Sequence, residues 1–189
     1  MYQIALFIHI VGVICLMGGH TLIHVGLERM RRAQTIEQVR EWSAIAAGLD
    51  KCMPPFTLAV LLPGIYMAFT AWGWTTAWID VSLALFVIMM ILGPVLLGRR
   101  FAALHKAVQV TPSGTIPPAL AAQIRDRALW TIENTFTCLL LAILFAMTVK
   151  PNLVGMVIVV GIALVAGFLS TLRMRPVPEH VALFPSLHK

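Results

Sequence analysis

The sequence predicts an all-α, polytopic membrane helix bundle of five transmembrane helices, a four-helix core plus a C-terminal fifth. Three observations predict it. Hydrophobic residues make up 59% of the chain and charged residues 12%, with mean hydropathy +0.88, whereas a soluble domain carries about 25% charged residues. Apolar runs recur at about 2–26, 52–69, 78–98, 129–149 and 153–172, and a bilayer is crossed by about 20 such residues. Lys and Arg collect in one set of the connections between runs, as they do on the cytoplasmic side of membrane proteins. Residues 1–172 read as one transmembrane domain and 173–189 as a cytoplasmic tail, rich in proline and without a helical period.

The first span, YQIALFIHIVGVICLMGGHTLIHVG, contains no Lys, Arg, Asp or Glu but three of the six histidines, His9, His20 and His24. Ionisable groups inside a span are costly and face the protein interior, which makes each a candidate site. His9 and His20 are eleven residues apart, close to whole helical turns, so they share a stripe at a separation of roughly 16 Å. His24 joins that face one turn later. Gly12, Gly19 and Gly26 recur every seven residues and allow a neighbouring helix or a flat cofactor to approach the backbone. A lone intramembrane histidine can equally be satisfied by a hydrogen bond to another helix, and His24, near the span's end, can simply be wet. No basic residue precedes the span and several follow it, unlike a cleavable signal.

Along the chain, the basic stretch Glu28–Arg32 is followed by Thr35 and Gln38, spaced as a capping box. Ile36, Val39, Trp42 and Ile45 then repeat at helical spacing and predict an interfacial helix over about 35–48, lying on the membrane. Pro54 and Pro55 suit the first turn of span two, and Pro63-Gly64 predicts a kink with a freed carbonyl. Trp72, Trp74 and Trp78 form an aromatic belt. Gly93-Pro94 predicts a second kink in span three, from which the helix can continue to His105. After the turn-rich VTPSGTIPPA, a helix restarts at Pro117 and is expected to run straight into span four. Lys150-Pro151-Asn152 reads as a tight turn before the glycine-containing span five.

Arg29, Arg31, Arg32, Arg40, Lys51, Arg99, Arg100, Lys106, Arg125, Arg127, Arg173, Arg175 and Lys189 fall on one side, against Lys150 on the other. The N-terminus is therefore expected outside and the C-terminus in the cytoplasm. Basic loops between spans do not suggest nucleic acid; lipid is the expected partner. Cys15, Cys52 and Cys138 match no CxxC pattern, which argues against a disulfide framework or zinc site.

Topology gives each polar residue a depth. His9 lies in the outer half, where Met67, Met147 and Met156 also reach. A b-type haem on His9, beside Gly12, would be five-coordinate or take a methionine such as Met67 or Met147, or a weaker sixth ligand. His20 and His24 lie in the inner half with Asp50, Lys51, Glu133 and Asn134, a polar cluster that can orient or protonate the imidazoles or form a wet salt network. His9, His20 and His24 are thus the candidate metal ligands. His105 is placed beyond the hydrocarbon, and His180 and His188 in the tail.

The segments FIHIVGVICLMGG, PPFTLAVLLPGIYMAF, WIDVSLALFVIMMILGPVLLGRR and TCLLLAILFAMTVKP, in that order, resemble a family of small bacterial integral membrane proteins of unknown function. That family is similar to the wider group containing the CopD copper-resistance proteins and the HemJ-type protoporphyrinogen oxidase. The resemblance covers roughly residues 4–153. It implies a bacterial cytoplasmic-membrane protein with a four-helix core and a haem b-binding histidine on span one, at the position of His9. Leu16 stands where HemJ-type proteins usually have Trp, span five is an addition, and His20 and His24 lie outside the motif. These departures bear on oxidase activity more than on the haem.

The expected function is a haem b protein in electron transfer or small-substrate oxidation at the membrane. One alternative is a copper-handling or transport protein using His, Met and Cys, although Cys15, Met17 and His20 do not share a face. Another is a non-catalytic partner subunit, or a homo-oligomer, assembled through span five.

Overall fold

The computed structural model describes residues 1–172, so the expected tail and its histidines lie outside the described residues. Among the described residues the secondary structure is helical, apart from an isolated antiparallel bridge between Thr35 and Thr115. Five helical stretches are long and apolar enough to cross a membrane.

Helix α1 runs unbroken over Tyr2–Arg32. At 1.5 Å per residue it is about 46 Å long, well beyond a hydrocarbon core of about 30 Å. Its last turns therefore carry the charge. Glu28 accepts hydrogen bonds from Arg31 Nε at 2.7 Å and Arg32 Nε at 2.6 Å. Helix α2, Ile36–Met67, begins at Thr35, whose hydroxyl caps the Gln38 N–H at 3.5 Å. Gln38 Oε1 accepts from the Gln34 N–H rather than from Thr35.

Two expectations are corrected here. Residues 35–48 do not form a separate interfacial helix, and Pro54-Pro55 do not start a span: α2 is continuous through both, with all three prolines inside it. Proline removes the N–H that would reach the carbonyl four residues back. For Pro54 and Pro55 those carbonyls belong to exposed Asp50 and Lys51, which water can serve, so the helix tolerates them.

After Met67 the helix widens into a π-helical turn over Ala68–Trp72 that ends at Gly73, whose φ is +75°. Helix α3, Ala77–Gly93, passes through a second π-helical turn, Pro94–Gly98, into α4, Arg99–Val110. The expected kink at Gly93-Pro94 thus takes the form of a local i→i+5 widening around the missing proline donor. The short α5, Pro118–Ile124, does not run straight into α6, Arg127–Val149: the helix breaks at Arg125–Asp126. Asp126 caps the new helix through the Ala128 N–H at 3.0 Å and pairs with Arg100 at 2.6 Å, so its side chain is better used at an N-terminus than inside a helix. Lys150, in the left-handed region at φ 55°, turns the chain into α7, Leu153–Leu172. Its ammonium rests 4.3 Å from the Trp72 ring and 5.6 Å from Trp78, a cation–π anchor at the aromatic end.

Packing divides the molecule into two arms joined at the basic end. The α1–α2 arm is an antiparallel pair in close contact along its length. In the other arm α6 lies along α7 and α3 joins them, around Met89, Leu139, Ala142 and Ala163. The join is a buried cluster that includes Leu27, Met30, Ile36, Leu104, Ile124 and Trp130, drawn from α1, α2, α4, α5 and α6. The loop before α5 clasps the start of α2: Ile36 N–H donates to Gly114 O at 2.9 Å, and Arg40 Nη2 to Thr111 O at 2.9 Å. Toward the aromatic end the arms share no buried apolar cluster among the described residues.

Candidate functional site

The glycine stripe of α1 settles which neighbour that face meets. A Cβ on Gly12 would lie 2.9 Å from Ala59 C and 3.0 Å from Ala59 O. Gly19 faces the Met53 side chain, and Gly26 faces Trp42 and Ala46. All these contacts are on α2, so the strip is a helix–helix seam of the small-residue type. The expectation that Gly12 opens space for a cofactor is therefore corrected, because the α2 backbone fills that space. The hydrogen Gly12 carries in place of a Cβ points at the carbonyl of Ala59, the one that Pro63 leaves without its helical donor.

His9 sits one turn earlier on the same seam. Its Nδ1 lies 2.7 Å from Val60 O, and its ring covers Gly64, where a Cβ would meet Cε1 at 3.2 Å. A carbonyl can only accept, so Nδ1 donates and Nε2 is left as a bare lone pair. The acceptor is one residue beyond the carbonyl freed by Pro63. The half-buried ring makes no other hydrogen bond among the described residues. A ring whose Nδ1–H is held by a backbone carbonyl has the orientation and tautomer of a metal-binding imidazole. The donor set at His9 thus fits a haem iron, while the seam beside it leaves no slot between α1 and α2. A flat group on Nε2 would have to lie on the side away from α2. Met67 is buried one turn past Gly64 on α2, and Met147 is half-buried on α6.

His20 lies on the same stripe of α1 as His9 but meets a different helix. Its Nε2 is 2.9 Å from Thr137 Oγ1 and 3.6 Å from Glu133 Oε1, both on α6. His24 Nδ1 is 3.7 Å from the same carboxylate oxygen, and its ring stands edge-on to Trp130 at 5.7 Å. Glu133 is 1% exposed. Trp130, also on α6, donates its indole N–H to Ile124 O at 2.9 Å and lies under the Arg31 guanidinium at 5.4 Å. The sequence reading missed Thr137 and Trp130. Both were findable, since they lie four residues after and three before Glu133, on the same helical face.

The remaining polar residues go elsewhere, so the expected cluster of Asp50, Lys51, Glu133 and Asn134 is corrected to separate groups. Asn134, turned about 100° from Glu133, reaches α7 and donates to Thr171 Oγ1 at 3.4 Å. Asp50 and Lys51 line a partly open cleft of about 210 Å³ with Met30, Ser43, Phe101 and His105. His105 lies 3.3 Å from Ser43 Oγ. Among the described residues no three His, Cys, Asp or Glu side chains are arranged to hold a metal ion. His9, His20 and His24 therefore do not converge on one centre: His9 faces α2 and the other two face α6. The three cysteines are free thiols.

No curated protein and no solved structure matches this chain. The model of one family, described as predicted integral membrane protein (DUF2269), matches residues 3–151. That stretch contains both arms except α7, together with His9, His20, His24 and Glu133, and its description agrees with the five membrane-spanning helices. The chain belongs to the DUF2269 family of predicted integral membrane proteins.

Proposed function

We propose that this protein binds a b-type haem through His9 and serves electron transfer or small-substrate oxidation in the bacterial cytoplasmic membrane. One observation carries the reading: two turns into a membrane-spanning helix, His9 presents an Nε2 lone pair with no protein donor among the described residues, while Nδ1 is tied to Val60 O. An unsatisfied acceptor at hydrocarbon depth is costly, and iron coordination satisfies it. The resemblance of the first span to the HemJ-type group, which has a haem-binding histidine at this position, supports the same assignment.

The test is the absorbance spectrum of the purified protein. A Soret band with α and β bands on reduction is expected. His9→Ala should remove most of it and leave the protein inserted, whereas His105→Ala should retain it. A wild-type protein without a Soret band after expression with ample haem, or a full unshifted band in His9→Ala, overturns the proposal.

A further inference from the structure

Glu133 is an unusual side chain to bury in a membrane helix. It is 1% exposed, and its Oε1 accepts no hydrogen bond among the described residues. Two histidine nitrogens, His20 Nε2 at 3.6 Å and His24 Nδ1 at 3.7 Å, stand just beyond hydrogen-bond length. His24 Nδ1 is likewise buried and unpartnered.

The Thr137 hydroxyl explains why His20 does not serve the carboxylate. Its single proton goes to Glu133 O at 3.0 Å. It therefore accepts from His20 Nε2 at 2.9 Å, which places the His20 hydrogen on Nε2 and aims it at Thr137. His20 is held by Thr137 as a positioning residue.

Two orphaned atoms, Glu133 Oε1 and His24 Nδ1, are left facing each other. A single hydrogen between them satisfies both, whichever of the two carries it, once the gap closes by under about 1 Å.

The charged groups around this pair have other partners. On α1, Arg31 and Arg32 are engaged by Glu28. Arg100 of α4 is paired with Asp126. On α2, Asp50 and Lys51 line the separate cleft with His105 of α4. Asn134 is turned to Thr171 on α7. No guanidinium or ammonium contacts Glu133 among the described residues. Among the described residues, a proton is the neutralising charge that the geometry offers. His24, whose side chain is 34% exposed, is the more accessible member of the pair and lies two turns from the basic end of α1.

We propose that Glu133 and His24, positioned by His20 and Thr137, form a proton-binding site within the membrane that loads from the basic side. The site does not depend on haem, since it lies eleven and more residues along α1 from His9 and on a different helix partner.

Difference infrared spectroscopy of the full-length protein in lipid nanodiscs, titrated through about pH 5 to 8 where histidine changes charge, tests it. The wild type should show a titrating carboxyl or carboxylate band that E133Q lacks and that E133D retains at a displaced frequency. His24→Gln should move its midpoint by about one pH unit, a tenfold change in proton affinity, with folding checked by size-exclusion elution. An unchanged spectrum in E133Q, or an unchanged midpoint in His24→Gln, overturns the proposal. So does stoichiometric Zn²⁺ binding that abolishes the titration, which would make the pair a cation site. None of these outcomes bears on the Soret band, so this proposal and the haem reading fail separately.

Discussion

Gly12 has no room for a side chain, and that is a stronger constraint than its helix propensity. A Cβ there would sit 2.9 Å from a backbone carbon of α2, which cannot swing aside as a side-chain tip can. Gly12→Val should therefore force the α1–α2 seam apart and destabilise the protein by about 1–3 kcal/mol or more, the range for overpacked interiors. Gly18 is the control on the same helix: nothing lies within 4 Å of its Cβ position, and Gly18→Ala should leave stability unchanged. Detergent-titrated unfolding of both variants measures the difference, and equal losses would refute the seam. The histidines obey the same local logic. His9 and His20 were predictable as one stripe from their spacing, yet one hydrogen-bonds a backbone carbonyl of α2 and the other a threonine of α6. Spacing determines the stripe; which helix lies against it at each depth is a packing outcome.

Among the elements, α7 is the most uniformly apolar and shows least in its sequence of where it packs. At Gly167 it comes close to the α6 backbone: a Cβ there would lie 2.5 Å from Thr135 Cα. Below it, Asn134 donates to Thr171 across the same interface. Gly167→Leu should lift α7 from α6 while leaving the α1–α2 pair intact. The expected readout is a lowered midpoint of thermal unfolding, with limited proteolysis cutting near Lys150 first. Cleavage within α1–α2 instead would show that α7 is not the element released. Boundaries were legible where a residue's chemistry is local. Thr35 caps α2, and Lys150 marks a tight turn. They were illegible where a strong local signal is overruled: Pro54 and Pro55 suggest a helix start, but α2 runs on through them, because the carbonyls they leave without a donor are those of exposed Asp50 and Lys51. The reverse occurred at Asp126, where a capping carboxylate broke a helix that composition alone would have joined.

For the molecule as a whole, charge asymmetry sets the expected orientation. Ten Lys and Arg residues, from Arg29 to Arg127, gather at the end where the arms join, against Lys150 stacked on tryptophans at the other. By the positive-inside rule the aromatic end is expected to face outside. A cysteine placed at Gly73, after replacing Cys15, Cys52 and Cys138, should react with an impermeant maleimide added to intact cells. Removing the native thiols matters because Cys52 is exposed near the basic end. Labelling only after the membrane is opened would reverse the assignment.

What the sequence determined by itself was everything that follows from composition and period: five membrane-crossing helices, the charged end and the stripe of histidines and glycines on α1. Transfer of apolar residues into lipid and the 3.6-residue turn are properties of a single segment, so they can be read without knowing its neighbours. Only the tertiary structure decided what each stripe touches. It gave the glycines to α2 rather than to a cofactor. It tied His9 to Val60, and it brought Glu133 alone to His20 and His24 while Asn134, Asp50 and Lys51 went elsewhere. In a membrane every helix is apolar, so hydrophobicity cannot select partners. Close backbone approach and the satisfaction of buried polar groups select them instead, and both are relations between distant segments.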